Sequence, residues 1–304
     1  MLDFRPIRFV LLFLLVACCG MTAQDNPPAD QPTFRSNVSE VRVTFFATRG
    51  NSEPVENVGK SDFAVVDNGL VIRNFRSFAR SDETALDLIA LLDVSESVAP
   101  RFRAAMSEVL QLVSQEQSVA DDNIAVLSFG GLHPAVLCSS GCRSTGAANK
   151  LLNVKSGGLT PLHDGLFFAA DFVTHRPRPG VRPVVILFSD GRDTISMHSA
   201  QEAVDAVVAS GALIYAVDIG TSQQSKGTAF LRWVSDATGG LYFSVRDGVS
   251  TVLESVLADL RDSYTVTYEV PRRQLGFHSL QLMPTHNLSL RFHSRSGYYY
   301  DGIR

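Results

Sequence analysis

The rhythm of hydrophobic and polar positions changes three times along the chain. After residue 35 it has a period of two. Val41, Val43, Phe45 and Ala47 fall on one side, and Arg42, Thr44, Phe46 and Thr48 on the other. That alternation predicts a strand from Ser39 to Thr48. Phe63 to Val66 and Leu70 to Phe78 flank Asp67-Asn68-Gly69. Asn-Gly is a strong hairpin signal because both residues tolerate positive φ. Residues 36–83 therefore predict about three strands of a small antiparallel sheet. From Leu86 to Leu92 the chain is almost continuously apolar, as a strand buried on both faces of a parallel sheet should be. Phe102, Ala105, Met106, Val109, Leu110 and Val113 then recur at helical spacing.

Strands at Asn123–Phe129, Pro183–Phe188, Ala212–Val217 and Leu241–Val245 follow. They alternate with helices at Pro161–Val173, Ala200–Ala209 and Gly227–Ala237, and a last helix carries Val249 to Leu260. Such alternation over residues 84–262 predicts an α/β domain with a doubly wound, mostly parallel sheet. Beyond Arg261 the period of two returns at Tyr264, Val266 and Tyr268, with further strands at Phe277–Leu282 and Leu288–His293. Isolated hairpins are marginal in water. The economical arrangement inserts the α/β domain into one antiparallel β-sandwich, built from residues 36–83 and 263–304.

The first residues bear on compartment. Arg5 and Arg8 precede an apolar run from Phe9 to Ala17, followed by Cys18 and Cys19. This predicts an export signal over residues 1–23, too short to span a bilayer. Leu15-Val16-Ala17-Cys18 resembles the lipobox of bacterial lipoproteins, in which Cys18 would be lipidated; cleavage after Ala23 is the alternative. Residues 24–35 hold three prolines and read as an extended tether. The expectation is an exported protein of the periplasm or cell envelope, touching membrane only through a lipid anchor. With 27 Lys plus Arg against 31 Asp plus Glu, a net charge of −4 and no basic run, a nucleic-acid partner is not expected. In an oxidising envelope, Cys138 and Cys142, enclosing Ser139-Ser140-Gly141, predict a loop-stapling disulfide.

Candidate chemistry sits where α/β strands end, since ligands of such sheets bind at the carboxyl edge. The first α/β strand runs into Asp93-Val94-Ser95-Glu96-Ser97. A later loop reads Gly157-Gly158-Leu159-Thr160-Pro161, and a further strand ends in Ser189-Asp190-Gly191. Asp-x-Ser-x-Ser, then Thr, then Asp resembles the metal-ion-dependent adhesion site of von Willebrand factor A domains. The resemblance covers roughly residues 84–262. With the flanking β regions and the closing Arg295-Ser296-Gly297-Tyr298-Tyr299, the whole chain resembles the exported "VWFA-related" proteins of acidobacterial type. The resemblance implies that the hydroxyls of Ser95, Ser97 and Thr160 contact a divalent metal, with Asp93 and Asp190 acting directly or through water. It implies Mg²⁺, with Mn²⁺ or Ca²⁺ as alternatives, and a protein ligand whose Asp or Glu completes the coordination. Two carboxylates and neutral hydroxyls would leave the ion electrophilic toward one more anionic oxygen.

Each residue also has a plainer reading. Asp93 and Ser95 could cap the helix that begins near Ala99, Thr160 could cap the next with Pro161 at its first position, and Asp190-Gly191 could be a turn. Glu96 replaces the glycine common in the family, and Val98 the methionine. Asp193 reads as a solvated loop charge and Trp233 as core; His286 and His293 suit surface or sheet-edge positions. The enzyme signatures fail on particular residues. A dehalogenase-type phosphatase needs a second Asp at position 95, which is Ser, and Gly-x-Ser-x-Gly, the nucleotide phosphate loop and His-Glu-x-x-His are all missing. The function expected is metal-dependent binding or adhesion without catalysis; the alternative is a structural scaffold of an envelope complex with an incidental metal site.

Overall fold

A computed structural model describes residues 40–302 apart from 50–52, 56, 81–84, 116–118, 177, 179, 221–225 and 246–248. The export signal, the lipobox with Cys18 and the tether lie outside the described residues.

Five strands precede the α/β region: β1 (Glu40–Arg49), β2 (Glu53–Pro54), β3 (Phe63–Asp67), β4 (Leu70–Ile72) and β5 (Ser77–Arg80). The parallel sheet then uses β6 (Leu86–Asp93), β7 (Ile124–Phe129), β8 (Ala135–Cys138), β9 (Arg182–Ser189), β10 (Leu213–Asp218) and β11 (Tyr242–Ser244). Its order is β11-β10-β9-β6-β7-β8, parallel throughout except for the antiparallel edge strand β8. Helices α1 (Ala99–Gln115), α2 (Thr145–Leu152), α3 (Leu162–His175), α4 (Ala200–Ser210), α5 (Lys226–Thr238) and α6 (Val249–Arg261) connect these strands and follow the last.

Because side chains alternate across a strand, β6 feeds two cores at once. Leu88, Ala90 and Leu92 pack with Phe102, Met106 and Val109 of α1 and Val256 and Leu260 of α6. Ile89 and Leu91 pack on the other face with Leu166 of α3, Val207 of α4 and Leu231 and Val234 of α5. The result is an α/β/α stack in which the sheet centre carries the stability.

After α6 come β12 (Tyr264–Glu269), β13 (Gly276–Pro284), β14 (Leu290–Ser294) and β15 (Gly297–Tyr300). They join the early strands in two antiparallel sheets, β14-β1-β12-β5 with β2 beside β1, and β15-β13-β3-β4. β1 lies between β12 and β14, with Val43 opposite Val266 and Ala47 opposite Phe292. The alternating face of β1 supplies Val43 and Phe45 to the sandwich core, where the Phe45 and Phe63 ring centroids are 4.8 Å apart. Its opposite face is not wholly polar: Phe46 points out of the sandwich and is buried in the α1/α6 core. The His293 ring Nε2 at 2.7 Å from the Gly240 carbonyl, and Ser296 N donating to Ala237 O at 3.2 Å, tie the sandwich to the end of α5.

Two local expectations are corrected. Leu70–Phe78 is two strands, with β4 on β3 and β5 on β12 in the opposite sheet. The break falls where Phe75 stacks on Phe63 at 5.0 Å and Arg76 pairs with Glu40 and Glu269, which draws the chain from one sheet to the other. The short elements β8 and α2 carry too little periodicity to be read in advance. Trp233 is 39% exposed, because Leu231, Val234 and Ser235 occupy the inward side of α5; its ring packs edge-on against Phe230. Cys138 and Cys142 form a disulfide with Cα atoms 5.7 Å apart, closing the turn after β8.

One partly buried acid sets a pH dependence for the fold. Burial pushes Asp259 up to about 7; the hydrogen bond from Tyr215 Oη at 2.7 Å opposes this, the charge of Asp262 adds to it and Arg182 opposes it. Since the folded value is raised, the folded state holds this proton more tightly than the unfolded chain. Its contribution is full below the unfolded value of 3.8 and is lost as pH rises toward 7. Asp259→Asn removes that component. Its urea midpoint, relative to wild type, should rise between pH values of about 4 and 7 and level off above. An offset that does not change with pH would contradict the assignment.

Candidate functional site at the carboxyl edge of the sheet

Register decides which side chains meet at this edge. Leu92 of β6 stands opposite Phe188 of β9, so Asp93 and Ser189 leave the sheet side by side. Ser189 Oγ donates to Asp93 Oδ2 at 2.7 Å, and Ser95 N donates to Asp93 Oδ1 at 2.9 Å. Ser95 Oγ lies 3.1 Å from Ser97 Oγ. Asp93 is 1% exposed and Ser95 fully buried, whereas Ser97 and Glu96 face solvent. Burial pushes Asp93 up to about 6 despite its hydrogen bonds from Ser95 and Ser189, and the nearby charge of Asp190 pushes the same way.

The second loop is laid against the first by backbone hydrogen bonds. Gly157 N donates to Val94 O at 2.7 Å, Glu96 N to Gly158 O at 3.1 Å, and Gly131 N to Leu159 O at 2.9 Å. This brings Thr160, 2% exposed, to the same edge; its N–H donates to Thr194 Oγ1 at 2.8 Å. The third loop carries Asp190, 6% exposed, whose Oδ1 accepts from Arg192 N at 3.0 Å, with Arg192 Nε 3.8 Å from Oδ2. Here the chain turns hard against the start of α5. Gly191 has φ +74°, and a Cβ on it would lie 2.2 Å from Gly227 O, so only glycine fits.

The plainer capping readings fare differently at each position. Ser95 precedes the short 3₁₀ turn Glu96–Val98 but makes no side-chain capping bond, and the N-cap of α3 is Pro161, not Thr160. Two buried hydroxyls are thus not spent on helix ends. Asp190 does close its own turn onto Arg192 N.

Asp193 is not a solvated charge. It accepts from His163 N and from Ser196 N and Oγ, which fastens the loop to the first turn of α3. Asp164 fastens it from the other side, accepting from the backbone N–H groups of Met197 and His198, with the His198 ring Nδ1 at 2.7 Å. Burial alone would push Asp164 up; the His198 and Met197 bonds outweigh it and hold the carboxyl below its ordinary value.

Two residues of this edge were not singled out from the sequence. Ser189 positions Asp93. Asp218, at the end of β10, is buried and accepts from Gly220 N, Thr228 Oγ1 and Tyr242 Oη. An Asp closing an apolar strand was the available signal, the same one that marks Asp93.

The donor set is chemically coherent. It offers two carboxylates and three hydroxyls, all hard oxygens, which suits Mg²⁺ or Mn²⁺ and not the nitrogen and sulfur preference of zinc. Among the described residues no cluster of three or more His, Cys, Asp or Glu side chains is arranged to hold a metal, so any ion here must rely on hydroxyls.

Residues 88–192 match the von Willebrand factor type A domain. An uncharacterized protein of Mycobacterium tuberculosis is 31% identical over 148 residues, which are 47% of this chain and 24% of that protein. The chain therefore spans about a quarter of the length of this curated relative. Among solved structures, a von Willebrand factor type A protein from Catenulispora acidiphila is 13% identical, with TM-score 0.45, over 88% of this chain and 76% of its own. The manganese-loaded TRAP protein of Plasmodium vivax is 16% identical, with TM-score 0.45, over 78% and 99%. An aerotolerance-related membrane protein of Bacteroides fragilis is 16% identical, with TM-score 0.46, over 58% and 98%.

Ser189 offers a direct test of how the edge is held. Its hydroxyl both donates to Asp93 and accepts from Gly191 N at 3.0 Å. Ser189→Ala leaves a buried carboxylate oxygen and a buried N–H without these partners, and should cost about 1–3 kcal/mol in urea unfolding. A variant as stable as wild type would show that the hydroxyl does not organise the edge.

Proposed function

We propose, from the premise that residues 88–192 form a von Willebrand factor type A domain, that this carboxyl edge holds a divalent cation through which the protein binds an acidic group of a protein ligand. The observation that carries the proposal is the convergence of Asp93, Ser95, Ser97, Thr160 and Asp190 on one edge of one sheet, with the Ser95 and Thr160 hydroxyls buried. Ser95, Ser97 and Thr160 would supply neutral oxygens to the cation, and Asp93 and Asp190 would bind it or orient its water. When bound, the cation supplies an electrophilic centre for one further carboxylate. Ser189 holds Asp93, and the Asp164 and Asp193 anchors hold the loop beyond Asp190.

The surroundings suit a protein partner. Leu132, Leu159, Ile195 and Met197 are exposed on the loops of this same edge, a set of apolar contacts around an electrophilic centre. Domains of this family are typically binding or adhesion modules. No described helix is long and apolar enough to cross a membrane. The export signal read in residues 1–23 supports placement in the bacterial envelope, with Cys18 as the site of a lipid anchor.

Calorimetry with Mn²⁺, with and without acetate as a stand-in for the partner's carboxylate, tests the proposal. Wild type should bind one ion per chain, more tightly with acetate present. Asp190→Ala and Thr160→Ala should lose binding by at least about tenfold while circular dichroism stays unchanged, since loops carry the site and strands the stability. Absence of binding at millimolar Mn²⁺, or variants that bind as wild type does, would overturn it and favour the scaffold alternative.

A further inference from the structure

At the opposite end of the parallel strands, the outer face of β1, β5 and β12 and the amino ends of β9 and β10 border a half-open cavity of about 530 Å³. Its lining includes Arg42, Arg182 and Arg295 and the hydroxyl-bearing Thr44, Ser77 and Thr267, and no described lining residue is Asp or Glu. Arg182, at the start of β9, is 8% exposed. Its Nη1 donates to Ser263 Oγ at 2.8 Å and its Nη2 to Leu260 O at 3.3 Å, but its buried Nε has no partner. Arg295 donates from Nη2 to Arg42 O at 2.8 Å and lies over the Tyr298 ring at 5.6 Å; its Nε is also buried without a partner.

Neither guanidinium forms an ion pair with a described carboxylate. The acids that attract them from a distance are already engaged. Asp259, near Arg182, accepts from Tyr215. Asp67, near Arg295, accepts from Tyr268 and Tyr298 and faces the His278 ring. Arg42 stands exposed on β1, and its side chain makes no hydrogen bond or ion pair among the described residues.

Burying a cation is costly unless it is paired. Guanidinium groups match the oxygens of phosphate and carboxylate. The cavity is larger than a bare ion needs and falls in the range of small-molecule sites, roughly 300–1,000 Å³.

We propose that this cavity is a binding site for a small organic anion bearing a phosphate or carboxylate group, held by Arg182 and Arg295 with Arg42 at the mouth. It is separate from the metal site and does not depend on it.

The test uses the full chain, stripped of metal on a chelating resin and titrated with inorganic phosphate and, separately, with succinate at constant ionic strength. Thermal unfolding and calorimetry should show saturable binding of at least one probe at a single site; which probe binds distinguishes phosphate from carboxylate ligands. Arg42→Gln removes no contact of the fold and should weaken binding about tenfold, the loss of one charge-assisted contact. Arg295→Gln, which keeps a donor for Arg42 O, should weaken it at least as much, and Asp190→Ala should leave it unchanged. If Arg295→Gln fails to fold, Arg42→Gln decides alone. Absence of saturable binding of both probes, or binding that Arg42→Gln leaves intact, overturns the proposal. So does a chain that answers only to a polyglutamate peptide, which would make the cavity a docking point for an acidic protein segment.

Discussion

The in-register pairing of β6 with its two parallel neighbours is the constraint from which the candidate site follows. Leu92 opposite Phe188, and Asp93 opposite Phe129, make three strands end at the same height. Only then can Ser189 reach Asp93 across the strand gap, and only then can the loops from Val94 and Gly157 exchange backbone hydrogen bonds. A slip of one residue would turn Asp93 toward the opposite face of the sheet and replace it at the edge with an apolar neighbour. The apolar residues of β6, packed into both cores, oppose that slip, so the same side chains that stabilise the sheet also place its polar ends.

The two ends of the strands differ in electrostatic character. At the carboxyl edge, Asp93, Asp190 and Asp218 are buried among hydroxyls, with Asp218 already satisfied by Gly220, Thr228 and Tyr242. At the amino end, Arg182 and Arg295 are drawn in where the sandwich sheet meets the α/β domain. The sandwich makes this second environment possible. β1 lends Phe46 to the α1/α6 core while Arg42 and Thr44, four and two residues before it on the same face, border the cavity. One alternating strand thus serves a sandwich core, a foreign core and a polar cavity.

Much of this was legible in the chain because it follows from simple periods. The alternation at Val41–Ala47, the apolar run Leu86–Leu92 and the stripe from Phe102 to Val113 each correspond to an element with that burial. The oxygen-bearing residues at strand ends could be named because strand ends are visible as the limits of apolar runs. What could not be read depends on partners distant in sequence. Trp233 lies beside the buried side of α5, not on it. Asp193 looks like an exposed loop charge until His163, thirty residues earlier, is brought to it. Arg182 and Arg295 carry no local signal either, since their shared cavity exists only once β1, β9 and β12 have been assembled.

The proposed cation site draws five oxygen-bearing residues from three loops. Anomalous diffraction at the manganese edge, from crystals grown with millimolar Mn²⁺, tests it most directly. A single strong peak is expected, with the Ser95, Ser97 and Thr160 hydroxyls within about 2–3 Å and the Asp93 and Asp190 carboxylates at most one water layer away. An ordered carboxyl edge with no manganese there, or manganese only on scattered surface carboxylates, would contradict it.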